Sequence, residues 1–249
     1  MSLQSKERHL KPPPPLAEFI RNQMGRLVHR ANFTAEGLEN VEGLEGGAII
    51  IAAPHNGHMD TILTRMAFEP EFRELMVAAA GGDYWEQIGR KQLANSFARI
   101  FPISRESGVQ AYRDLKQIAA LVIAGERVVI FPEGTRHSDP NTPISERSFM
   151  PGIGLLALMT GGGIPIIPLH IKGNERIMPR GETFPQFRDK KSGKPYTITI
   201  KVGEPLDLSA LTQESMKEMS RSEIKQEAET IAGIIHGFFI SEEHEQDTE

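Results

Sequence analysis

Short apolar segments rich in isoleucine and valine alternate with segments of helical periodicity, and this alternation restricts the possible folds more than any other feature of the sequence. The predicted strands are residues 48–53, 75–79, 99–104, 127–131, 164–170 and 196–202, and the predicted helices are residues 59–68, 85–97, 108–125, 152–160 and 213–239. Such alternation indicates an α/β domain with a central, largely parallel sheet flanked by helices. Because ligands of such domains bind beyond the carboxyl ends of the strands, we expect functional residues in the loops that follow the strands.

The composition of the two ends sets the boundaries of the predicted domain. Residues 1–34 form a proline-rich segment followed by an amphipathic helix, residues 35–240 form the main domain, and residues 241–249 form an acidic tail that we expect to be disordered. The apolar stripe of the N-terminal helix consists of Leu16, Phe19, Ile20, Met24, Leu27 and Val28. Two interpretations stay open: the stripe packs on the domain, or the basic helix lies on an anionic membrane.

The composition as a whole excludes several classes of function. The chain has no cysteine, which excludes disulfides, thiolate zinc sites and thiol catalysis and fits a cytoplasmic location. A formal net charge of −5 argues against general binding of nucleic acid. We expect no signal peptide, because the first residues contain no apolar core. Residues 150–169 are uncharged, but their five glycines and three prolines indicate a buried helix, a turn and a strand instead of a membrane span.

The segment "IIIAAPHNGHMDTIL", residues 49–63, places two histidines and one aspartate within six positions. Residues five apart on a regular helix point about 140° away from each other, but a turn at residues 56–57 can bring His55 back to Asp60. His58 is two residues from Asp60, and residues at that spacing do not face each other on a helix. We therefore predict that His55, and not His58, pairs with Asp60. Such a pair is either a structural hydrogen bond or a dyad in which Asp60 orients the imidazole and the imidazole acts as a general base.

Two further loops follow predicted strands and suit an anionic ligand. In "RVVIFPEGTRHS", residues 127–138, a glycine, backbone N–H groups and Arg136 follow the strand, which favours binding of a phosphate. Glu133 could hold that arginine or accept a hydroxyl of the substrate. In "ARIFPISRES", residues 98–107, Arg105 follows another strand and is a second candidate phosphate ligand. Taken alone, the first loop is more simply an ordinary turn with a salt bridge, and the second loop is a weak signal by itself.

Four motifs, taken in order, resemble those of the glycerophospholipid acyltransferases, typified by the 1-acylglycerol-3-phosphate (lysophosphatidic acid) acyltransferases. His55 to Asp60 matches the His-x-x-x-x-Asp motif of that family, and "IFPISR" matches a strand that ends in an arginine, here Arg105. Phe131 to Arg136 matches Phe-Pro-Glu-Gly-Thr-Arg in full, and "GIPIIPL" matches an apolar strand that contains proline. The resemblance covers most of the main domain.

The resemblance implies a glycerol-3-phosphate acyltransferase-like fold and an O-acyltransferase. Such an enzyme moves a fatty acyl group from acyl-CoA or acyl carrier protein to the free hydroxyl of lysophosphatidic acid, giving phosphatidic acid. It implies that His55 is the general base and Asp60 its orienting partner, and that neither a metal nor another cofactor takes part. Many members of the family have membrane-spanning helices and this sequence shows none, so we expect the protein to work peripherally at a membrane surface. The residues that it implies for binding the glycerol phosphate are Arg105, Glu133, Gly134, Thr135 and Arg136.

Other functions remain open at this point. The acceptor could be glycerol 3-phosphate, another lysophospholipid or a polyol, and the chain could instead be a catalytically silent module that binds lipid or acyl carrier protein. A metallohydrolase using His55, His58 and Asp60 is a third class. The chain departs from the family at Gly57 and His58, where most members carry serine or a similar small polar residue. It also lacks, in residues 149–151, a lysine that is usual there.

Overall fold

A computed structural model of the chain describes residues 25–26, 28–81, 99–104, 108–137, 139–161, 163–178, 182, 184–206, 208, 216 and 218–246. The strands are β1 (Asn32–Glu36), β2 (Ala48–Ala53), β3 (Met76–Gly81), β4 (Ile100–Ile103), β5 (Arg127–Ile130), β6 (Ile166–Lys172) and β7 (Thr197–Val202). The helices are α1 (Asp60–Met66), α2 (Pro70–Glu74), α3 (Val109–Ile123), α4 (Gly152–Thr160) and α5 (Arg221–Gln246). Within the described residues the seven strands form one sheet in the order β1–β7–β6–β2–β5–β3–β4.

The sheet is largely parallel, as the sequence predicts. Among the described strand pairs only β6 and β7 run antiparallel. The central strand β2 is buried along its whole length, because a strand in the middle of a parallel sheet is covered on both faces. Ile49 and Ile51 pack with residues of α3, α4 and α5 on one face. Ile50 packs with residues of α1, β6 and β7 on the other.

Three parallel strands bring the predicted functional loops to one edge of the sheet. β2 lies between β5 and β6, and the three strands share one direction. Their carboxyl ends therefore meet, so that the loop after β2, the loop after β5 and the turn after β6 are neighbours in space although they are far apart in the sequence. The architecture thus places His55, Glu133 and Arg136 at a common edge.

The C-terminal helix differs from the sequence prediction at both ends. The prediction started it at residue 213 and expected a disordered tail from residue 241, whereas α5 begins at Arg221 and continues to Gln246. The tail prediction is therefore corrected for residues 241–246. Two acidic residues there have partners in the fold: Glu242 Oε2 lies 2.6 Å from Lys201 Nζ, and Glu243 Oε2 accepts the backbone N–H of Ile144 at 2.8 Å.

Two elements were missed by the sequence analysis, and one prediction lies outside the described residues. β1 alternates exposed and half-buried residues, so it lacks the apolar run that identified the other strands. α2 has only five residues, which is too short for a helical period to be recognised. The predicted helix at 85–97 falls on residues that the structure does not describe.

Of the apolar stripe of the predicted N-terminal helix, only the last residue, Val28, is among the described residues. Residues 25, 26 and 28 are helical, and Val28 is buried in the same core as α1. This residue of the stripe therefore packs on the domain, as one of the two interpretations expected, while the other five lie outside the described residues. Among the described helices, none is long and apolar enough to cross a membrane.

Candidate active site

His55 and Asp60 form a hydrogen-bonded pair at the carboxyl end of β2. The distance between His55 Nδ1 and Asp60 Oδ2 is 2.8 Å. The two residues can meet because β2 ends at Ala53 and α1 begins only at Asp60, so that the chain between them turns instead of continuing as a helix. The structure thus contains the pair that the spacing predicts, and the catalytic role of the pair stays a prediction.

Asp60 is fully buried and accepts hydrogen bonds on both carboxylate oxygens. Its Oδ2 accepts the backbone N–H groups of Asn56 and Gly57, each at 2.9 Å, in addition to the imidazole of His55. Its Oδ1 accepts Asn174 Nδ2 at 2.9 Å. A buried carboxylate requires such donors, and they also fix both oxygens in position relative to the imidazole.

The imidazole of His55 is held on its face as well as at Nδ1. The ring of Phe131 stacks on it with the ring centroids 4.1 Å apart and an interplanar angle of 22°. Because the carboxylate of Asp60 can only accept, Nδ1 carries the proton in the neutral imidazole, and Nε2 keeps the lone pair. The side chain is 18% exposed. This arrangement leaves His55 able to take a proton at Nε2 from a group that enters from solvent.

Asn174 reaches Asp60 from the turn that follows β6. Gly173 has a φ of 82°, in the left-handed region, and a Cβ at this position would lie 2.1 Å from the carbonyl oxygen of Thr197. Only glycine fits there, because both the backbone angle and the close approach exclude a side chain. The turn directs the buried Asn174 under the dyad, where its Nδ2 also donates to the carbonyl of Pro54 at 3.3 Å.

Glu133 is buried and supports the dyad loop from β5. Its Oε1 accepts the backbone N–H of His55 at 2.6 Å, and its Oε2 accepts Arg147 Nη1 at 2.9 Å. The sequence analysis left open whether Glu133 holds Arg136 or accepts a hydroxyl of the substrate. In the structure it holds Arg147 and the backbone of His55 instead, so both of its oxygens are engaged inside the protein.

The residues that follow Glu133 lie at the surface of the site. Gly134 and Thr135 are exposed and Arg136 is half-buried. Gly134 has a φ of 70°, which favours glycine in this tight turn. Arg136 Nη1 donates a hydrogen bond to His58 Nδ1, so the loop after β5 and the loop after β2 present an arginine and a histidine side by side. A cation and imidazole in this arrangement suit an anionic group of a ligand.

The structure brings together His55, Asp60, Glu133 and the Gly134–Arg136 loop, whereas Arg105 lies outside the described residues. The described residues contain no group of three or more histidine, cysteine, aspartate or glutamate side chains that could hold a metal ion. Sequence analysis missed Arg147 and Asn174. Asn174 carries a usable signal, because it is a polar residue just beyond a predicted strand. Arg147 carries none, because it lies well downstream of the β5 strand end.

Comparison with known proteins gives matches to acyltransferases. In Arabidopsis thaliana, "1-acyl-sn-glycerol-3-phosphate acyltransferase LPAT1, chloroplastic" is 29% identical over 146 residues, which are 59% of this chain and 37% of that protein. In Brassica napus, "1-acyl-sn-glycerol-3-phosphate acyltransferase BAT2, chloroplastic" is 27% identical over 146 residues, which are 59% of this chain and 39% of that protein. The chain therefore matches less than two fifths of the length of either relative.

A solved structure has the same fold. The crystal structure of the 1-acyl-sn-glycerophosphate (LPA) acyltransferase PlsC from Thermotoga maritima superposes with a TM-score of 0.52 and 21% sequence identity, covering 87% of this chain and 78% of that chain. At this identity the likeness concerns the fold alone. The family model described as Acyltransferase matches residues 32–172, a range that is more than half of the chain and contains the dyad, Glu133 and Arg147. On this match, the chain belongs to the acyltransferase family.

Proposed function

We propose that this protein is an O-acyltransferase that moves a fatty acyl group from acyl-CoA or acyl carrier protein to the free hydroxyl of lysophosphatidic acid. The observation that carries the proposal is the 2.8 Å hydrogen bond between His55 Nδ1 and the fully buried Asp60. A carboxylate that holds a histidine in this way fixes its tautomer and stabilises the imidazolium that forms when the histidine acts as a general base. Family membership and the names of the two plant relatives support the same reaction class.

In the proposed reaction the acceptor supplies the nucleophile. His55 Nε2 removes the proton from the acceptor hydroxyl as its oxygen attacks the thioester carbonyl, and Asp60 stabilises the imidazolium that forms. The tetrahedral intermediate then collapses with cleavage of the carbon–sulfur bond, and the imidazolium returns the proton to the departing thiolate. An ester and a free thiol result, and His55 is neutral again, so the cycle needs neither an oxidant nor a nucleophile from the enzyme.

The acceptor phosphate is proposed to lie against Arg136. Its guanidinium is half-buried at the mouth of the site next to His58, and guanidinium groups bind phosphate through paired, charge-assisted hydrogen bonds. Gly134 and Thr135 precede it in an exposed turn. Arg105 is proposed as a second ligand on the basis of its sequence position alone. A phosphate there would distinguish lysophosphatidic acid from an unphosphorylated acceptor.

The proposed substrates partition into membranes, so we also propose that the protein acts at a membrane surface. The candidate for contact with lipid is the basic N-terminal segment upstream of residue 25. It contains four of the six apolar residues of the predicted stripe, Leu16, Phe19, Ile20 and Met24, whereas Val28 belongs to the core. Arginines near an anionic surface contribute about 1 kcal/mol each, screened by salt.

The central test replaces each histidine of the loop separately. His55→Ala removes the base, so we expect the rate of acyl transfer to fall by about 10² to 10⁴-fold. His58→Ala leaves the dyad intact and should keep much of kcat, which makes it the matched control. Release of free thiol from acyl-CoA and from acyl carrier protein, with and without lysophosphatidic acid, measures both variants. An active His55 variant together with an inactive His58 variant would reverse the assignment.

A panel of acceptors separates the alternatives. The rate of acyl transfer should be measured with one acyl donor and each of several acceptors: lysophosphatidic acid, glycerol 3-phosphate, other lysophospholipids and an unphosphorylated glycerol lipid. A preference for lysophosphatidic acid supports the proposed acceptor, and a preference for another compound replaces it within the same reaction class. A folded protein that binds acyl donors but transfers to none of these acceptors would favour the silent binding module.

A further inference from the structure

Arg147 is a buried cation beneath the dyad loop, with 1% of its side chain exposed. We infer that it is a positioning residue for the acyl transfer proposed above: by holding Glu133 and Asn56, it fixes His55 relative to Asp60. The inference deepens the proposed function and rests on it. Arg147 is not a catalytic residue in this account, because it acts on His55 through Glu133 and Asn56 and not on the reacting atoms.

The guanidinium of Arg147 joins three separate segments. Nη1 donates to Glu133 Oε2, after β5, and to Asn56 Oδ1, in the dyad loop, each at 2.9 Å. Nε donates to the carbonyl of Thr142 at 2.9 Å, and Nη2 donates to the carbonyl of Pro140 at 3.3 Å. One planar cation therefore ties the loops after β2 and β5 to the segment that carries it.

Both acceptors on the site side are in turn bonded to the dyad. Glu133 accepts the backbone N–H of His55 at 2.6 Å, which sets the position of the residue that bears the imidazole. Asn56 donates its backbone N–H to Asp60 at 2.9 Å, while its side chain is held by Arg147. Arg147 thus acts on both members of the dyad, on each through a single intervening residue.

The segment that carries Arg147 is itself fixed by the C-terminal helix. Ile144 is buried, and both of its backbone groups bond to α5. Glu243 Oε2 accepts its N–H at 2.8 Å, and His236 Nε2 lies 2.8 Å from its carbonyl oxygen. Because the cation is attached to a segment clamped in this way, its position is set by the fold before any substrate binds.

A substitution at Arg147 should therefore misplace the dyad. Removing the cation leaves the carboxylate of Glu133 buried without its charge partner, a situation that proteins relieve by moving the group or admitting water. In either case the carboxylate of Glu133 moves, and with it the oxygen that accepts the backbone N–H of His55. A displacement of the reacting groups by about 1 Å can cost about 100-fold in rate, so we expect a loss of that order in kcat.

The competing interpretation is that the Arg147–Glu133 pair only stabilises the fold, and the chain offers a matched control for it. Arg99 Nη2 lies 2.7 Å from Glu126 Oε1, with 8% and 3% of the two side chains exposed. This pair is buried much like the Arg147–Glu133 pair. Arg99 precedes β4 and Glu126 precedes β5, so the pair lies at the amino edge of the sheet, opposite the dyad.

The experiment compares Arg147→Ala, Arg147→Lys and Arg99→Ala in the full chain. For each variant, kcat and the acceptor KM are measured at a temperature below the lowest melting temperature of the set. The hydrogen-exchange rate of the His55 backbone amide is measured on the same proteins. Arg147→Lys keeps a positive charge but lacks the planar fork that reaches several acceptors. It therefore also serves if Arg147→Ala does not fold.

We expect Arg147→Ala to lose about 100-fold in kcat with a smaller change in KM, and to exchange its His55 amide faster. Arg147→Lys should fall between it and wild type, and guanidinium added at low concentration should restore part of the kcat of Arg147→Ala. Arg99→Ala should lose melting temperature but keep both kcat and slow exchange at His55.

Two results would overturn the inference. One is an Arg147 variant that is folded and keeps wild-type kcat and wild-type exchange at His55. The other is a loss of kcat in Arg99→Ala equal to that in Arg147→Ala, which would make both pairs merely structural. Failure of the proposed function is distinguishable, because wild type would then transfer no acyl group to any acceptor while the exchange rate at His55 still tests the role of Arg147.

Discussion

Asp60→Asn removes one charge from the centre of the site while changing its shape very little. The asparagine oxygen can still accept the three donors that reach Oδ2 in the wild type, from His55, Asn56 and Gly57. Its NH₂ group would then face Asn174 Nδ2. Asn174 Oδ1 is buried without a hydrogen-bond partner among the described residues, so this amide can rotate by half a turn and accept the new donor, which gives up only its 3.3 Å hydrogen bond to the carbonyl of Pro54. We therefore expect the variant to fold.

The loss of rate follows from the missing charge. In the proposed reaction His55 becomes an imidazolium in the transition state, with Nδ1 2.8 Å from Asp60 Oδ2. Two unit charges centred about 4 Å apart attract by about 4 kcal/mol at an effective dielectric constant of about 20. That energy corresponds to about 10³-fold in kcat. Because the charge is removed at the dyad and the proposed phosphate position is at Arg136, beside His58, the acceptor KM should change much less.

Thiol release at saturating donor and acceptor measures the prediction, and thermal melting of the same samples shows whether they are folded. Glu126→Gln is the matched control, because it neutralises a buried carboxylate that lies at the amino edge of the sheet. It should lower the melting temperature and leave kcat unchanged. If Asp60→Asn were folded and kept wild-type kcat while His55→Ala was inactive, the charge of Asp60 would have no part in the reaction.

Three further outcomes are expected. Arg136→Ala and Arg105→Ala should each raise the KM for a phosphorylated acceptor by about 10 to 100-fold, as expected for loss of a charge-assisted hydrogen bond. The prediction is contradicted if wild type and both variants discriminate equally between phosphorylated and unphosphorylated acceptors. Deleting residues 1–24, which leaves the buried Val28 in place, should reduce sedimentation with anionic vesicles without unfolding the domain, and undiminished binding would exclude this anchor. Hydrogen bonds from the backbone and the side chain of Ser192 hold the pKa of Asp189 below its usual value, so its contribution to stability is present above the ordinary carboxyl pKa and is lost as the pH falls through the lowered value. The difference in melting temperature between wild type and Asp189→Asn should accordingly narrow as the solution is acidified.

The parts of the fold that sequence predicts well are those whose pattern is strictly local. β2 was predicted at residues 48–53 and lies at Ala48–Ala53, because an uninterrupted apolar run is the mark of a strand buried on both faces. α4 is predicted at 152–160 and lies at Gly152–Thr160, with Pro151 before its first residue and Gly161 after its last. β1 is not among the predicted strands, because its residues alternate between exposed and half-buried. Its place at the sheet edge depends on pairing with the distant β7.

In the candidate site, too, contacts within one loop can be predicted from the sequence, whereas contacts between loops cannot. The pairing of His55 with Asp60 follows from five residues of sequence and a turn signal, so it was accessible without a structure. The partner of Glu133 was not, since Arg147 is fourteen residues downstream and meets it only after the chain has passed around Ile144. Spacing identifies groups that share one loop, whereas a contact between loops depends on how the whole sheet edge is packed.

The single reversal of direction between β6 and β7 has a consequence for how the chain enters the domain. β1 is parallel to β7, β7 is antiparallel to β6, and β6 is parallel to β2. β1 therefore runs opposite to β2 and begins, at Asn32, on the edge of the sheet where β2 ends beside His55. Three strand spacings separate the two strands, which is about 14 Å. Any bilayer contact made by residues upstream of Asn32 would thus hold the edge that carries His55 towards the lipid, within reach of the proposed acceptor, whose acyl chain stays in the membrane.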